Sequence, residues 1–558
     1  MKLVSFDVFD TCLVRLCGTP DNFFDVLSHK VFTRPVDEAT RREFVFRRRL
    51  AEVNCSKNAT ATIFDFYDAF DYAHPFLIDK NELASVEIGL EQAMLVPVSS
   101  TLEMIARLRA KGARIVFISD MYLPGSIIEE MLRKAGFFED GDKLYVSCEV
   151  GKTKASGELY DFVRGQEGVS FRQWRHFGDN FFSDYYTPKG LGIKAKKISV
   201  PYGHYPKRWC QFGGIRSFNY PGILAGLSRA LLCSRPVNDR SAFLVDFVGP
   251  LYCSFVSNVL KDARERGISR LYFCARDTFQ MFKVAQVLGE DYPEISLHYL
   301  YISRASLYDS DKEMLLGYLK QEGVISNEGK VAIVDTTTWG KTLSELNKIA
   351  RECDVGGIFG YFMLKFEGSL SVQIPEPILT SMLKSYYRLS SLQYATLWSK
   401  VPLIENYMSS NTQKRTVAYK KSSKDIYEPI YDCHRDDSEQ DFLEYWEQYY
   451  GEILSVCAKA YRLLELGKYS DELLGNVILP TLCDFLLIPE KKYLKGFTSF
   501  SSCQMSGEFR PLVKKESFVN LCRTRGLDTD WRIATMILSL PDFLSRWYVK
   551  KKLRIKYE

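Results

Sequence analysis

The segment MKLVSFDVFDT (residues 1–11) sets a short apolar run, an aspartate at its end (Asp7), and a threonine four places on (Thr11). An apolar run ending on an acid predicts a buried strand whose carboxyl end carries a reactive group. A second acid, Asp10, stands three places after the first. Outward from this strand, similar runs alternate with helical periods: RIVFIS (114–119), KLYVS (143–147), WRHFGD (174–179) and GIKAKKIS (192–199). That alternation predicts a parallel α/β sheet within residues 1–205. The stretch from about 18 to 98 has helical periodicity and many arginines, as in RREFVFRRRLAEV (41–53), and is too long for a loop, so it reads as an inserted helical subdomain.

The run PYGHYPKRWCQFGGIRSFNYPG (201–222), rich in Pro, Gly and aromatics, marks a boundary, and residues 206–240 read as a linker. A second alternation follows over 241–410: the helix GPLYCSFVSNVLKDARERG (249–267), then the strands RLYFCARD (270–277), LHYLYISR (297–304), KVAIVDTTT (330–338) and GIFGYFML (357–364). Residues 411–558 read as mainly helical, with long periods such as QDFLEYWEQYYGEILSVCAKAYRLLELG (440–467). The fold class is therefore α/β twice over, followed by a helical region.

Composition narrows the function classes. The chain has 558 residues, enough for two or three domains, and a net charge of only +5, which argues against a dedicated nucleic-acid binder. Its 14 cysteines never fall three apart, and Cys12, Cys148, Cys253 and Cys274 lie in apolar runs, so they read as reduced core residues instead of zinc ligands. The N-terminus lacks the pattern of a secretory leader, and a cytoplasmic setting is expected. The most apolar run singled out, VILPTLCDFLLIP (477–489), is too short to span a bilayer and carries Asp484. The tail RWYVKKKLRIKYE (546–558) suits peripheral contact with an anionic inner-membrane surface as well as a solvated helix end.

Reactive groups stand at the carboxyl ends of the first set of strands: Asp7, then Ser119, then Lys154 in GKTKASGELY (151–160), then Asp179 and Asp184 in FGDNFFSD (177–184). Phosphoryl transfer needs a nucleophile, a hydroxyl and an ammonium for the phosphate oxygens, and carboxylates for Mg²⁺. In that order and spacing the motifs resemble the haloacid dehalogenase-like (HAD) hydrolase superfamily, over roughly residues 1–200. The resemblance implies the helical segment of about 18–98 as a cap, Asp7 as nucleophile, Ser119 and Lys154 as phosphate binders with Lys152 as a rival, and Asp7, Asp179 and Asp184 as magnesium ligands. Superfamily phosphatases usually carry a second aspartate two places after the nucleophile; here Phe9 stands there, and Asp10 follows. Asp10 is read as the displaced general acid, with a helix cap or a pair with Arg15 as the alternatives.

The stretch KVAIVDTTTWGKT (330–342) leads an apolar strand into an acid, hydroxyls and a glycine opening a helix, a shape that cradles phosphate. It resembles the phosphoribosyl pyrophosphate (PRPP) loop of type I phosphoribosyltransferases, although it is one residue shorter, has one acid where two are customary, and has Trp339 beside the glycine. The resemblance implies Asp335 on the ribose hydroxyls and Thr336, Thr337, Thr338, Gly340 and Thr342 around the 5-phosphate. Arg276, Asp277 and Thr278 would hold pyrophosphate and its Mg²⁺, and Arg304 would add a cation.

Together the two modules look like PRPP-dependent ribofuranosyltransferases of bacterial surface polysaccharide (O antigen or capsule) synthesis, a resemblance reaching to about Glu405. It implies transfer of 5-phosphoribose to a glycan or lipid-linked glycan acceptor, then removal of the 5-phosphate. The alternative is a magnesium-dependent phosphohydrolase whose C-terminal half only binds a partner.

Overall fold

The computed structural model describes residues 3–200, 203–205, 218–234, 241–338, 340–365, 393, 396, 414–432, 437–497, 501–503, 509–511, 513–517, 531–541, 544–548 and 551. Trp339, Glu405 and most of the basic tail lie outside these residues, as do the side chains of Thr337 and Thr338. The chain forms two compact units, residues 1–237 with Leu463–Glu465, and residues 238–462 with 466–558.

In the first unit, β1 (Leu3–Phe6) is the middle strand of a parallel sheet, flanked by β4 (Arg114–Ser119) and β6 (Trp174–Gly178). Outside these lie β5 (Lys143–Val146) and β7 (Lys194–Lys197), giving the order β5–β4–β1–β6–β7. A strand paired on both sides and covered on both faces has to be apolar throughout, and all of LVSF is buried. Leu3 stands opposite both Arg114 and Trp174, so the residues after β1, β4 and β6 emerge along one edge.

A short antiparallel pair, β2 (Leu13–Arg15) with β3 (Leu95–Pro97), carries the chain out of the sheet and back. Between them lie helices α1 (Pro20–Leu27), α2 (Glu38–Cys55), α3 (Ile63–Asp68) and α4 (Lys80–Met94), the expected cap. Its arginine-rich helix is not uniformly solvated. Arg48 is wholly buried and bonds Glu87 of α4 through Nε (2.9 Å) and Nη2 (2.7 Å), with its guanidinium over the rings of Phe24, Phe66, Tyr67 and Tyr122. Removing one partner of such a pair typically costs about 3–5 kcal/mol, so this contact locks the cap's helices together.

Within the presumptive linker, the helix Tyr220–Cys233 is buried from Gly222 to Leu231. Asn219 caps it by accepting from the Gly222 N–H, and the Asn219 amide donates to Asn22 in α1 (2.9 Å). It approaches the cap's entry so closely that a Cβ on Gly226 would lie 2.4 Å from the Cys17 carbonyl carbon.

The second unit holds a four-stranded parallel sheet in the order β11–β10–β8–β9. Its strands are β8 (Ile268–Cys274), β9 (Ser296–Leu300), β10 (Lys330–Thr338) and β11 (Phe359–Lys365), each at an expected strand. An antiparallel hairpin, β12 (Thr416–Lys421) with β13 (Tyr427–Tyr431), departs from the helical reading of the C-terminal region. Tyr419 of β12 is buried and joins the core beneath the second sheet, which is why a largely polar segment becomes strand. Among the described residues one helical run, Ser241–Arg266, is long and apolar enough to cross a bilayer, but its most apolar stretch is buried inside the protein, as in a core helix, and Lys261, Arg264, Glu265 and Arg266 near its end are exposed.

The ten described cysteines are free, and seven of them are buried. That agrees with reading Cys12, Cys148, Cys253 and Cys274 as small core residues.

Candidate active site

The edge where β1, β4 and β6 end gathers the first set of sequence motifs into one cluster. Lys154 is 2% exposed, and its Nζ donates to Asp7 Oδ1 (2.5 Å) and to Asp184 Oδ1 (2.7 Å). Its backbone N–H donates to both carboxylate oxygens of Asp120, the residue after β4. Lys152 is exposed, so of the two lysines only Lys154 reaches the cluster. Ser119 is buried at the end of β4, one strand from Asp7.

Asp7, Asp179 and Asp184 each offer an oxygen within 4.8 Å of the others. Three hard oxygen donors so close suit Mg²⁺, whose ligands are carboxylates, water and phosphate oxygens. Gly178 is a condition of that geometry. A Cβ there would lie 2.4 Å from the Asp184 Cβ, so only glycine lets the π-helical turn Phe181–Tyr186 fold Asp184 back over the end of β6. The Asn180 N–H then donates to Asp184 Oδ2 (3.0 Å).

Crowding shapes the ionisation. Burial, followed by the charges of Asp184 and Asp179, pushes Asp7 up to about 7 against the pull of Lys154. Burial and the charges of Asp10 and Asp184 raise Asp179 to about 6. Asp184 is buried too, yet the His176 bond and the Lys154 ammonium outweigh that and hold it low. Lys154 is raised because Asp7 and Asp184 overcome its own burial.

His176 is buried in the core and is also part of this network. Trp174 Nε1 donates to Ser5 Oγ (2.7 Å), Ser5 Oγ meets His176 Nδ1 (2.7 Å), and His176 Nε2 faces Asp184 Oδ1 (3.3 Å). Burial pushes the imidazole toward its neutral form. With one ring proton and an ionised carboxylate at Nε2, that proton sits on Nε2, and Ser5 donates to Nδ1.

Asp10 neither caps a helix nor pairs with Arg15. It has a left-handed backbone (φ 57°), its N–H donates to the Leu13 carbonyl (2.7 Å), and its Oδ1 accepts from Arg229 Nη1 (2.7 Å). Arg15 is taken by Glu91 of α4 (2.6 Å) and stacks over Phe9 (4.8 Å). Sequence reasoning missed Arg229, Asp120 and the bond of His176. Asp120 directly follows a strand-ending Ser119 and was discoverable; Arg229, within an expected linker, was not.

The second set of motifs meets at the ends of β8 and β10, the neighbouring strands from which the chain turns opposite ways, where open α/β sheets bind ligands. Burial, then the charges of Asp335 and Asp277, push the Cys274 thiol far up, so both carboxylates flank the end of β8. Arg276 has an unusual positive φ of 25°. Gly340 is left-handed (φ 78°) and opens the helix Lys341–Glu352, whose first turn includes Thr342. Thr336 is buried, its N–H donates to Asp335 Oδ1 (2.8 Å), and its Oγ1 has no hydrogen-bond partner among the described residues. Two residues depart from expectation. Thr278 is buried and its hydroxyl is spent on the Cys274 carbonyl (2.6 Å), while Arg304 begins a separate short helix and is exposed.

No protein-family model and no curated protein matches the chain. Among solved structures, a HAD family enzyme from Bacteroides thetaiotaomicron is similar at 14% identity, over 36% of this chain and 94% of that one, with a TM-score of 0.28. That enzyme has also been solved with magnesium and inorganic phosphate. L-2-haloacid dehalogenase from Xanthobacter autotrophicus is similar at 16% identity, over 40% and 88% of the two chains, with a TM-score of 0.29. A HAD phosphatase from Thermococcus onnurineus is similar at 19% identity, over 36% and 86%, with a TM-score of 0.26. By its own strand order, cap insertion and strand-end carboxylates, the first unit has a HAD-like α/β fold.

Proposed function

We propose that the first unit is a magnesium-dependent phosphohydrolase acting through an aspartyl-phosphate on Asp7. The observation that carries this reading is the pair of hydrogen bonds that Lys154 donates to Asp7 and Asp184, with Asp179 completing a three-carboxylate cluster. A haloalkane-type displacement needs no metal, and three acids so close would then only repel one another. A bound Mg²⁺ on Asp7, Asp179 and Asp184 would supply neutralisation of the phosphate's charge.

An Asp7 oxygen attacks phosphorus as the ester P–O bond breaks, and the leaving oxygen takes a proton from Asp10. Water then attacks the acyl phosphate, returns a proton to Asp10, and releases phosphate and the Asp7 carboxylate. Lys154 and Ser119 hold the phosphate oxygens. His176 orients Asp184 and so the metal end of the cluster.

The finer reading gives the second unit transfer of 5-phosphoribose from PRPP to a glycan, with the first unit removing the 5-phosphate from the product. It is supported by Asp277 and Asp335 flanking one strand end at the switch point, and by the glycine-opened helix after β10. Under that reading Arg276, Asp335, Thr336 and Gly340 would face PRPP, Thr278 would serve only through its backbone, and Arg304 would lie at the rim.

The test is to incubate the protein with Mg²⁺ and phosphate esters, and separately with PRPP and candidate glycans, weighing products for added pentose with and without phosphate. Phosphate release lost in Asp7→Asn supports the first reading, and no release from any ester sinks it. Phosphate release without PRPP consumption leaves a phosphohydrolase with a binding module.

A further inference from the structure

The helix Tyr220–Cys233 lies after the last strand of the first sheet, yet it brings a buried guanidinium into the catalytic cleft. The side chain of Arg229 is 9% exposed and that of Asp10 27%, so the cation is the buried, fixed member and the carboxylate the accessible one.

Three independent contacts make the placement of Arg229 a built feature. Gly226 packs against the Cys17 backbone at a distance no Cβ would allow. Asn219 ties the helix start to Asn22, and the Phe218 ring meets His29 edge-on at 5.1 Å. Arg229 stands three residues beyond Gly226, so this close packing fixes the height at which it enters.

On the Asp10 side, the carboxylate is one residue further from the nucleophile than the usual acid, and its left-handed backbone turns the side chain to a different line of approach. A carboxylate on a three-residue tether needs an external hold to keep it near one geometry.

We propose that Arg229 is a positioning residue for Asp10, and that the helix Tyr220–Cys233 is an integral part of the phosphohydrolase site. Arg229 grips Asp10 through Oδ1 and so holds the carboxyl group toward the leaving oxygen. The proposal rests on the reading of Asp10 as proton donor.

Leaving-group dependence separates positioning from simple structural support, because a nitrophenolate leaves with little help from an acid whereas an alkoxide depends on one. The full-length protein with Mg²⁺ is assayed on p-nitrophenyl phosphate and on ribose 5-phosphate, as wild type, Asp10→Asn, Arg229→Met, Arg229→Lys and the Asp10→Asn/Arg229→Met double variant. Asp10→Asn is expected to lose roughly 10²-fold on ribose 5-phosphate. Arg229→Met is expected to lose roughly 10- to 100-fold there, several-fold less on the aryl ester, and nothing further when added to Asp10→Asn. Equal losses of Arg229→Met on both esters, or additive losses in the double variant, overturn the proposal. If Asp10→Asn keeps its alkyl turnover, the reading of Asp10 falls; if it loses that turnover while Arg229→Met does not, only the role of Arg229 falls. Should Arg229→Met not fold, Arg229→Lys keeps the charge but loses the planar fork, and an unchanged alkyl-to-aryl ratio in it also overturns the proposal.

Discussion

The two strand-end clusters of this protein differ in how their charges are used. At the end of the first sheet, a buried ammonium is shared between two buried carboxylates and a third, partly buried, stands within 4.8 Å, so carboxylates outnumber the ammonium in the cluster. At the end of the second sheet, polar groups converge on a switch point, but one expected hydroxyl, Thr278, is turned inward and the expected cation Arg304 stands apart. The contrast shows that convergence marks a place for a ligand, whereas unbalanced buried charge also marks the chemistry. An isolated excess of carboxylates is unfavourable unless a cation joins them, and that need points to magnesium at the first site.

The sharpest way to break the comparison is to disable each site separately. Asp7→Asn is expected to lower phosphate release by roughly 10⁴-fold or more while PRPP consumption continues. Asp335→Asn is expected to do the reverse, cutting PRPP turnover by about 10-fold or more with phosphate release from a simple ester unchanged. Loss of both activities in either variant, followed by phosphate and PRPP assays, would show the two clusters to be one functional unit.

Lys154→Met tests the charge argument. It leaves Asp7 and Asp184 buried without their shared cation, and a loss of about 3–5 kcal/mol in denaturant unfolding is expected. Gly178→Ala is a smaller change at the same place. The added methyl meets Asp184, and a cost of about 1–3 kcal/mol with weaker Mg²⁺ binding by calorimetry is expected. Unaltered binding would separate Asp184 from the metal.

The smallest effect sharpens the comparison by pH. Asp7 holds its proton up to about 7 when folded, against 3.8 ordinarily, so the folded state binds more protons between about pH 4 and 7. Stability without metal should therefore fall as pH rises through that window. Asp179, raised to about 6, adds in the same sense, whereas Asp184, held low, gives a stabilisation that is constant above its ordinary value and so adds no slope there. Mg²⁺ binds the ionised forms, so its stabilisation should be a few degrees larger in Tm at pH 8 than at pH 5, measured by thermal unfolding. A shift that is equal at both pH values would disconnect these carboxylates from the metal.

Much of this was written in the order of residues. Strand-ending acids, the two lysines of GKTK and the cap-length insertion are local patterns, and local patterns survive translation into structure because a parallel strand buried on both faces must be apolar and must end in its polar group. The same holds for the four strands of the second sheet. By contrast, the partner of Asp10 was illegible: Arg229 lies 219 positions away in a stretch that composition marks as a boundary. The hairpin of β12 and β13 was equally hidden, since only Tyr419 reaching the core makes a strand of that polar segment.

Sequence alone determined which residues stand at strand ends and in what order, because periodicity and the chain's polar punctuation depend on near neighbours. Tertiary structure alone decided which of them meet. It chose Lys154 over Lys152, gave Asp184 its histidine and Asp10 its arginine, and turned the Thr278 hydroxyl away. Those outcomes depend on packing between segments far apart in the chain, where a single glycine such as Gly178 or Gly226 sets whether two backbones can approach.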